Sequence, residues 1–527
     1  MRLVPSAVFR HALRVFSVTQ LSRSFHDGIA ASETPEPAKS APSQPPKMKL
    51  TVKHRGVDTN PDEPSLNITA YADLLSFNDP KRSAFPIPEG LPGALQNVGY
   101  VTPTPIQQHT IPMMLLGEDL IGLAPTGTGK TLAFAVPAFT RIDPNVHSCQ
   151  VLVLCPTREL AMQTFTVFEK ISQRLGIRCA NAYGGAQNRS FQSRQCAGAQ
   201  IVVATPGRLT DFAREGIINL GSCGFFVLDE ADRLLDMGFK PQIDDIMYFF
   251  RTNKLVPQTL MWSATWDDKI QSLAAEYIKE NHFLVSTGAH ETGHSVNPLI
   301  EQLVYFTDRD RPPKLEVLMK LYQDNVISTA EKAIIFVERK GTAAAVFSQL
   351  QHRIRAAFPA SSNMFCMAVH GDLAQRDRER AIHTFKNGPC NLLVATDVVA
   401  RGIDIPNVAH VINYEMPSQF DSYVHRIGRT GRNGKHGYSH AFFETANDIA
   451  LAPSLEKFLR ASAQKVPGKL SQYVSQGNQI LQRRQERKDF ARGGRGRGGG
   501  GRGYSSGHSY QRGGGRGGGG GGGYRDY

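Results

Sequence analysis

The chain has 527 residues, 41 % of them hydrophobic and 20 % charged, which is typical of a folded globular protein. Its length exceeds what a single hydrophobic core usually fills, so we expect two folded domains. No apolar run is long enough to cross a bilayer, which predicts that no segment spans a membrane. The seven cysteines are odd in number and lack CxxC spacing, which argues against a secreted disulfide framework and a zinc site.

The formal net charge of +13 is concentrated at the two ends of the chain. Residues 1–26 carry four arginines and no acid, and residues 483–527 carry eleven basic and three acidic residues. The 456 residues between them therefore have a net charge of only +1. This pattern favours a nucleic-acid partner held partly by basic tails, although such tails also serve solubility alone.

The N-terminal segment 1–26 has the composition of an organellar transit peptide. Its arginines alternate with serine and apolar residues, and Arg10, His11 and Arg14 interrupt the apolar run that a secretory signal needs. We expect a mitochondrial address, with a chloroplast address as the second choice. An untargeted tail, with the protein in the cytoplasm or nucleus, is the alternative. Residues 27–70 are rich in Pro, Ser and Glu and predict a disordered linker.

Two long regions alternate strand-like and helical patterns. Residues 71–287 and 298–465 each contain apolar runs followed by turns, which predicts two α/β domains built on parallel sheets. Residues 288–297 form the linker between them. The extension 466–527 ends in a Gly/Arg-rich tail, predicted to be disordered from Arg483 onward.

The tail offers arginines for phosphates and tyrosines for base stacking, namely Tyr504, Tyr510 and Tyr524. This favours contact with RNA. A solubilising role or a surface for protein partners is the alternative.

The stretch "LAPTGTGKT" (123–131) follows a strand-like run and precedes a helical pattern. Gly127 and Gly129 allow backbone amides to close around a phosphate at a helix N-terminus. Lys130 can reach the terminal phosphates, and the Thr131 hydroxyl can hold Mg²⁺. The usual motif begins with glycine, whereas Ala124 stands here.

The stretch "FFVLDEADRLL" (225–235) carries a buried strand directly into three acids. Asp229 is placed to hold Mg²⁺, and Glu230 to orient and deprotonate an attacking water. Mg²⁺ and Lys130 would compensate the charge of this acid pair. A capping cluster for the following helix is the alternative interpretation.

These two motifs and their neighbours resemble the DEAD-box family of RNA helicases within superfamily 2. The further matching segments, in the family's order, are "GYVTPTPIQ" (99–107), "PTREL" (156–160), "GG" (184–185), "TPGRL" (205–209), "SAT" (263–265), "IIFVERK" (334–340), "HGDLAQRDRERAIHTF" (370–385), "VATDVVARGIDIP" (394–406) and "HRIGRTGR" (425–432). The resemblance implies two tandem RecA-like α/β domains with parallel sheets and disordered termini. It also implies ATP and Mg²⁺ as cofactors and RNA as a partner.

The resemblance implies an ATP site shared by both domains. Gln107 would read the adenine edge, and Phe85 is the candidate for stacking on the base. The remaining ATP contacts would be Ala124, Pro125, Thr126, Gly127, Thr128, Gly129, Lys130, Thr131, Gly402 and Asp404. Arg429 and Arg432 resemble the arginine fingers that stabilise charge on the γ-phosphate, and His425 would organise that interface. Ser263 and Thr265 resemble the link between hydrolysis and strand separation.

The resemblance further implies an RNA path across both domains. The matching residues are Pro156, Thr157, Arg158, Gly185, Thr205, Gly207, Arg208, Arg339, Gly371, Gln375, Arg378 and Thr396. They would contact phosphates and 2′-hydroxyls, so sequence preference should be low.

We therefore expect an ATP-dependent RNA helicase that unwinds short duplexes or remodels RNA–protein complexes locally and without processivity. Its place would be mitochondrial RNA metabolism. Two alternatives use the same core: an ATP-gated RNA clamp that seldom unwinds, and a translocase that acts on DNA.

Overall fold

The computed structural model describes residues 50–54, 57–59, 67–79, 81–125, 127–185, 189–287, 297–308, 313–357, 364–397, 408–432 and 434–493. Of residues 50, 57–59, 375 and 488–493 it describes the backbone alone. Two sheets organise these residues, one of nine strands and one of six.

The nine strands of the first sheet come from residues 50–287. They are β1 Leu50–His54, β2 Val57–Thr59, β3 Asp119–Leu123, β4 Val151–Leu154, β5 Cys179–Ala182, β6 Ile201–Ala204, β7 Phe225–Leu228, β8 Gln258–Ser263 and β9 His282–Thr287. Their order across the sheet is β2-β1-β9-β3-β8-β7-β4-β6-β5. The pairs from β9 to β5 are parallel, whereas β1 pairs antiparallel with both β9 and β2.

Nine α-helices accompany this sheet among the described residues. They are α1 Leu91–Asn97, α2 Pro105–Leu115, α3 Lys130–Ala138, α4 Arg158–Leu175, α5 Arg189–Cys196, α6 Pro206–Arg214, α7 Ala231–Asp236, α8 Lys240–Thr252 and α9 Asp268–Tyr277. A 3₁₀-helix at Tyr71–Phe77 precedes them.

The central strands are apolar along their whole length because both faces of the sheet are covered. All four residues of β4 are buried. Val151 and Val153 belong to one hydrophobic cluster, and Leu152 and Leu154 belong to the other. Successive side chains of a strand point to opposite faces, so a continuous apolar run supplies both layers of the core.

The second sheet is entirely parallel and has the order β10-β15-β14-β11-β13-β12. Its strands are β10 Ile300–Phe306, β11 Lys332–Val337, β12 Cys366–Val369, β13 Leu392–Thr396, β14 Val408–Asn413 and β15 Gly437–Phe443. Its helices among the described residues are α10 Lys314–Gln323, α11 Lys340–Ala357, α12 Gln375–Asn387, α13 Phe420–Ile427, α14 Thr445–Asp448, α15 Ala452–Ala461 and α16 Gly468–Gly493.

The parallel strands fix where the motifs meet. The segments 123–131, 156–160, 205–209, 229–232 and 263–265 all follow the carboxyl ends of strands of the first sheet. Those ends lie along one edge of a parallel sheet, which is where open α/β sheets bind their ligands.

The predicted linker over residues 27–70 is wrong for residues 50–54 and 57–59. These residues form β1 and β2 and extend the first sheet. Thr51 and Val52 pair with Ser286 and Val285, and the Val52 side chain is buried in the core. The alternating sequence "LTVKH" is a strand pattern, and β9 offers the edge that it completes.

The predicted end of the second domain at residue 465 is also too early. Leu470 on α16 is fully buried, and Lys469 forms an ion pair with Asp308 at 2.7 Å. The helix α16 continues to Gly493, so residues 483–493 are helical rather than disordered as expected from Arg483 onward.

Several predictions lie outside the described residues. These are the transit peptide 1–26, the Gly/Arg-rich tail beyond Gly493, most of the interdomain linker, and the ATP contacts Thr126, Gly402 and Asp404. Within the part of the chain that is described, no helix combines the length and the apolar character needed to cross a membrane.

Candidate nucleotide and RNA site

The phosphate-binding loop lies between β3 and α3. Gly127 and Gly129 have φ values of +84° and +99°, in the left-handed region that glycine adopts without strain. Lys130 opens α3, and its ammonium donates to the carbonyl of Ala124 at 2.7 Å. Burial lowers the pKa of Lys130, against the opposing effect of the carboxylate of Asp229. The loop therefore has the conformation and the cation that a phosphate needs.

The acid pair at the end of β7 is buried and directed toward that loop. Burial is the main cause that raises the pKa of Asp229 to about 7, and Lys130 opposes it. Burial would also raise the pKa of Glu230, but Arg233 and Arg429, together with His425, outweigh it and lower this pKa. Burial and Arg233 lower the pKa of His425 itself. Glu230 has a φ of +50°, unusual for a residue other than glycine. Its Oε2 lies 3.5 Å from the Arg233 Nε.

The third acid of the cluster, Asp232, connects three segments. Its Oδ2 accepts from the backbone N–H of Ala264 at 3.0 Å and from the Thr265 hydroxyl at 3.4 Å. The same oxygen lies 3.3 Å from the His425 Nε2 of the second domain. Burial would raise the pKa of Asp232, but His425 and Arg233 lower it well below its usual range. No role was predicted for Asp232, although its place two residues after Glu230 was a visible signal.

The segment 263–265 is ordered by its own hydrogen bonds. The Ser263 hydroxyl donates to the Thr265 carbonyl at 2.8 Å and accepts from the Thr265 N–H at 3.2 Å. Ser263 and Thr265 are both buried. The predicted coupling pair is therefore held rigidly against the acid cluster through Asp232.

The helix α13 of the second domain brings the predicted arginine fingers to the phosphate-binding loop. A Cβ added to Gly127 would lie 2.6 Å from the Arg432 Cγ, so this side chain passes directly over the loop. Arg429 lies near enough to Lys130 and Glu230 for its charge to shift the pKa of both.

Arg426 fixes the orientation of α13. Its guanidinium donates to both carboxylate oxygens of Asp397 at 2.7 Å and to the Glu415 carbonyl at 2.6 Å. Arg426 is almost fully buried. A bidentate pair of this kind holds a helix in one geometry.

Gln107 joins the phosphate-binding loop to the segment that precedes it. Its Nε2 donates to the Gly129 carbonyl at 2.8 Å. Its Oε1 accepts from the Thr104 N–H and from the Tyr71 hydroxyl, both at 2.7 Å. Tyr71 is thus the aromatic residue that the structure places beside Gln107.

The prediction that Phe85 stacks on adenine is wrong. Its ring lies beside Gly117 and packs 3.2 Å from the Arg141 guanidinium carbon. Gly117 precedes the first residue of β3, whereas the phosphate-binding loop follows the last. Phe85 therefore lies at the opposite end of the strand from the nucleotide. Sequence alone did not show this, because the side of the sheet on which Phe85 packs is set by its tertiary contacts with Gly117 and Arg141.

The predicted RNA contacts of the first domain lie at the carboxyl ends of neighbouring strands. They are Pro156, Thr157 and Arg158 after β4, Gly185 after β5, and Thr205, Gly207 and Arg208 after β6. The Thr157 hydroxyl accepts from the Leu160 N–H at 3.3 Å and caps α4. Gly185 has a φ of +67°, and a Cβ there would collide with the Arg158 guanidinium. Gly207 is open to solvent.

Predicted RNA contacts of the second domain are distributed over four segments. Arg339 and Gly371 are exposed, whereas Thr396 is buried at the end of β13. Gln375 begins α12, and its backbone alone is described. Burial raises the pKa of Glu159 on α4, and the cations of Arg158 and Arg378 oppose this rise. Arg378 of the second domain therefore lies close to the RNA contacts of the first.

Comparison with known proteins agrees with this geometry. Residues 104–273 match the family model "DEAD/DEAH box helicase", and residues 313–434 match "Helicase conserved C-terminal domain". The chain is 40 % identical over 384 residues to DEAD-box ATP-dependent RNA helicase 5 of Oryza sativa subsp. japonica, which covers 71 % of each chain. The chain belongs to the DEAD-box family of RNA helicases. It is also 40 % identical to ATP-dependent RNA helicase DBP2 of Lodderomyces elongisporus, over 73 % of this chain and 68 % of that one.

Solved structures of DEAD-box helicases share the fold. S. cerevisiae Dbp5 bound to RNA and ADP BeF3 has a TM-score of 0.60 and 28 % identity, covering 75 % of this chain and 98 % of its own. Mss116p bound to ssRNA and AMP-PNP has a TM-score of 0.63 and 27 % identity, covering 80 % of this chain and 83 % of its own. The prediction of two RecA-like domains is confirmed, and the chain is an ATP-dependent RNA helicase.

The helicase site also fits a magnesium ion. Asp229 is a buried carboxylate whose charge is destabilised, and Thr131 offers a hydroxyl oxygen at the start of α3. Mg²⁺ prefers oxygen ligands and is usually held by one or two carboxylates together with substrate phosphates. In the described residues no three His, Cys, Asp or Glu side chains form a metal cluster. A magnesium ion here would therefore depend on the phosphates of ATP.

Proposed function

We propose that this helicase hydrolyses ATP with Glu230 as the general base, in a site that is complete only when both domains meet. The observation that carries this proposal is the position of Glu230, which is buried just after β7 with its Oε2 3.5 Å from the Arg233 Nε and with Arg429 and His425 of the second domain nearby. Of the groups around it, Arg429 of the second domain is the permanent cation that keeps the pKa of Glu230 low, while burial lowers the pKa of His425 and so favours its neutral form. Glu230 is therefore ionised and able to accept a proton from water when the domains are together.

The other charged groups would stabilise the transferring phosphoryl group. Lys130 and the amides of Gly127 and Gly129 would hold the phosphates, and Arg429 and Arg432 would meet the charge that develops on the γ-phosphate. Asp229 and Thr131 would hold Mg²⁺, which neutralises charge on the β- and γ-phosphate oxygens when bound.

We propose that RNA crosses both domains beside this cleft and is remodelled locally. The support is that Arg158 and Arg378, predicted RNA contacts of different domains, both lie near enough to Glu159 to lower its pKa. A strand bound to both would be bent or released as the domains close and reopen. Dbp5 and Mss116p are each bound to RNA in their solved structures. Unwinding would be short and non-processive.

The test is RNA-stimulated ATPase activity of the full chain, with Glu230→Gln as the variant. We expect stimulation by single-stranded RNA and not by DNA, and a fall in kcat of about 100-fold or more in the variant. ATP-dependent RNA binding should survive, because the substitution removes a proton acceptor and keeps the shape. Glu280→Gln, at an exposed position of the same domain, is the matched control. Equal activity in both variants would contradict the role of Glu230.

The second candidate function is an ATP-gated clamp. The contact between Asp232 and the His425 Nε2 at 3.3 Å favours it, since it joins the two domains and would lengthen the life of a closed state. Long-lived RNA binding with slow ATP turnover and no strand separation would identify the clamp. Rapid turnover with release of a short duplex strand would identify the helicase that remodels RNA.

We further propose that the protein acts on mitochondrial RNA, because residues 1–26 are rich in arginine and free of acids. Import of the full chain into isolated mitochondria, with loss of the N-terminal segment, would support this. Arg10→Glu with Arg14→Glu should abolish import, because the segment would lose its positive charge. Import of the variant at the normal rate would contradict the proposal.

A further inference from the structure

A pocket of about 250 Å³ lies beside β5 in the first domain, outside the ATP site. The strand β5 is the last strand on its side of the sheet. Three aromatic and four polar side chains from α4, α5, β5 and the residue after β5 line the pocket: Phe165, Tyr183, Phe191, Glu169, Asn181, Gln192 and Gln195. This lining differs from an ordinary apolar cavity because more than half of its side chains are polar and can form hydrogen bonds.

The pocket is continuous with the proposed RNA path. Tyr183 stands two residues before Gly185, one of the predicted RNA contacts. Gln192, also in the lining, accepts from the Arg208 Nη1 at 2.8 Å. Tyr183 in turn is hydrogen-bonded to Gln192. Two of the predicted phosphate contacts therefore adjoin the pocket.

We propose that this pocket binds one base extruded from the bound RNA, with guanine preferred. The inference rests on the proposed RNA path and adds a base contact to it. Phe191 is 47 % exposed, and a large apolar ring left in water is a ready surface for stacking. Single-stranded RNA is read in this way elsewhere, by aromatic stacking and hydrogen bonds to base edges.

The polar side of the pocket selects the base. A carboxylate only accepts hydrogen bonds, and its two oxygens match two adjacent donors. Guanine presents such a pair on its Watson–Crick edge, the N1–H and the N2 amino group. Adenine and cytosine present one amino group next to an acceptor, which would face the Glu169 carboxylate unfavourably. No hydrogen bond involves the side chains of Glu169, Asn181 or Gln195 within the described ranges, so these groups are available to a ligand.

The charges around the pocket favour RNA over an acidic peptide or an apolar helix. Arg194 on α5 is exposed next to Gln195, and Arg189 at the start of α5 is half exposed in an ion pair with Glu215. Cations beside aromatic rings suit a nucleotide, whose phosphate and base need one of each. An acidic peptide would meet the repulsion of Glu169 inside the pocket.

The experiment measures binding of the full chain to ten-residue RNAs in the presence of a non-hydrolysable ATP analogue. One RNA is all uridine, and the others contain a single guanosine, adenosine or cytidine at each position in turn. We expect guanosine at one position to strengthen binding by about tenfold, the size of one well-placed base contact. Phe191→Ala should lose the preference for every base at that position. Glu169→Gln should lose the preference for guanosine while binding to the all-uridine RNA stays unchanged.

Tyr248→Ala is the matched control, because Tyr248 is an exposed aromatic residue on α8 of the same domain. It should keep the preference for guanosine. Equal affinity of the wild type for all RNAs would overturn the base pocket and leave the proposed function standing. If Phe191→Ala and Tyr248→Ala both lost the same affinity for every RNA, the base pocket would also be overturned. It would be overturned as well if Phe191→Ala left RNA binding unchanged and oligoglutamate bound at this pocket. Absence of ATP-dependent RNA binding in the wild type would instead refute the proposed function itself.

Discussion

Single residues in the ATP site show how neighbouring carboxylates acquire different charges. Asp229 and Glu230 are adjacent and equally buried, yet burial raises the pKa of the first to about 7 while nearby cations lower that of the second. The difference arises from position, because Glu230 lies beside Arg233 and beside Arg429 of the second domain. Two carboxylates can therefore serve the two proposed roles, Asp229 as a metal ligand and Glu230 as a proton acceptor, because their surroundings differ.

The Tyr71 hydroxyl should set the affinity for ATP. It donates to the Gln107 Oε1 and so holds the amide with its Nε2 toward the Gly129 carbonyl. We expect Tyr71→Phe to raise KM for ATP by about two- to tenfold with kcat little changed, the worth of one hydrogen bond. Steady-state kinetics at saturating RNA measure this. Tyr248→Phe, at an exposed position, should leave KM unchanged, and an unchanged KM in Tyr71→Phe would contradict the positioning role.

At the level of residues, the sequence indicates which side chains lie together where a motif fixes the backbone. Gly127, Lys130 and Glu230 lie at strand ends, and the parallel sheet brings strand ends together. Prediction from the sequence failed for Phe85, and it did not find Tyr71, which reaches Gln107 through a tertiary contact across 36 positions of the chain. Nothing in the spacing of apolar residues distinguishes Tyr71 from Phe85.

At the scale of elements, β3 and β8 show why a glycine stands inside a strand. Gly122 pairs with Trp262 across the two strands, and a Cβ at Gly122 would lie within the indole ring. Trp262 is fully buried in the core. The glycine therefore makes room for the tryptophan, at the end of the strand that delivers the phosphate-binding loop.

Gly122→Ala should destabilise the first domain by about 1–3 kcal/mol, because overpacking a rigid core forces neighbours out of place. Gly93→Ala is the contrasting variant. Gly93 is an exposed residue inside α1 with open space around a Cβ, and alanine there should stabilise by about 0.5–1 kcal/mol. Urea unfolding followed by tryptophan fluorescence measures both. A stable Gly122→Ala would show that Trp262 can move.

A histidine pair across β14 and β15 should make the second domain sensitive to acid. The His410 Nδ1 lies 3.0 Å from the His440 Nε2, and His410 Nε2 lies 3.0 Å from the Glu331 carboxylate. The Tyr305 hydroxyl lies 3.3 Å from the other nitrogen of His440. Burial, with the charge of His410 second, lowers the pKa of His440 to about 3.

The unfolded chain therefore binds more protons than the folded chain between about pH 3 and pH 6.5, and stability falls as the pH falls through that window. For His440 alone, moving from pH 7.5 to pH 5.5 should cost about 1.4 kcal/mol. In His440→Gln, which keeps polar groups but does not titrate, the loss over this range should be smaller by that amount. Unfolding midpoints at both pH values provide the test, and equal losses in the two proteins would contradict it.

Elements were predictable from sequence where their patterns were long and apolar. The parallel strands of both domains follow from continuous apolar runs, since a strand covered on two faces has no polar side. The hairpin of β1 and β2 was missed because five residues inside a Pro-rich stretch carry little signal, and its partner β9 lies more than 200 positions away. The helix α16 was missed because its arginines resemble the tail that follows.

For the whole molecule, the proposed catalysis would depend on contacts that neither domain can make alone. Asp232 is the centre of these contacts, because one carboxylate binds the segment 263–265 and His425 of the second domain. Closure of the cleft would therefore affect the segment that follows β8, because the Asp232 Oδ2 that binds this segment also contacts His425 on α13. Loss of either side chain would leave the other buried without its polar partner, which is costly.

A double-mutant cycle tests this connection. Asp232→Ala and His425→Ala should each lower the kcat of RNA-stimulated ATP hydrolysis, and the double variant should be no worse than the more damaged single variant. The expected coupling between the two positions is about 1–3 kcal/mol, since they touch across the cleft at 3.3 Å. The matched pair is Arg214→Ala with Asp245→Ala, an exposed ion pair at the same distance within one domain, where coupling should be close to zero. Additive losses at Asp232 and His425 would show that the two domains contribute to hydrolysis independently, and the contact between them would then be a consequence of closure rather than a cause of it.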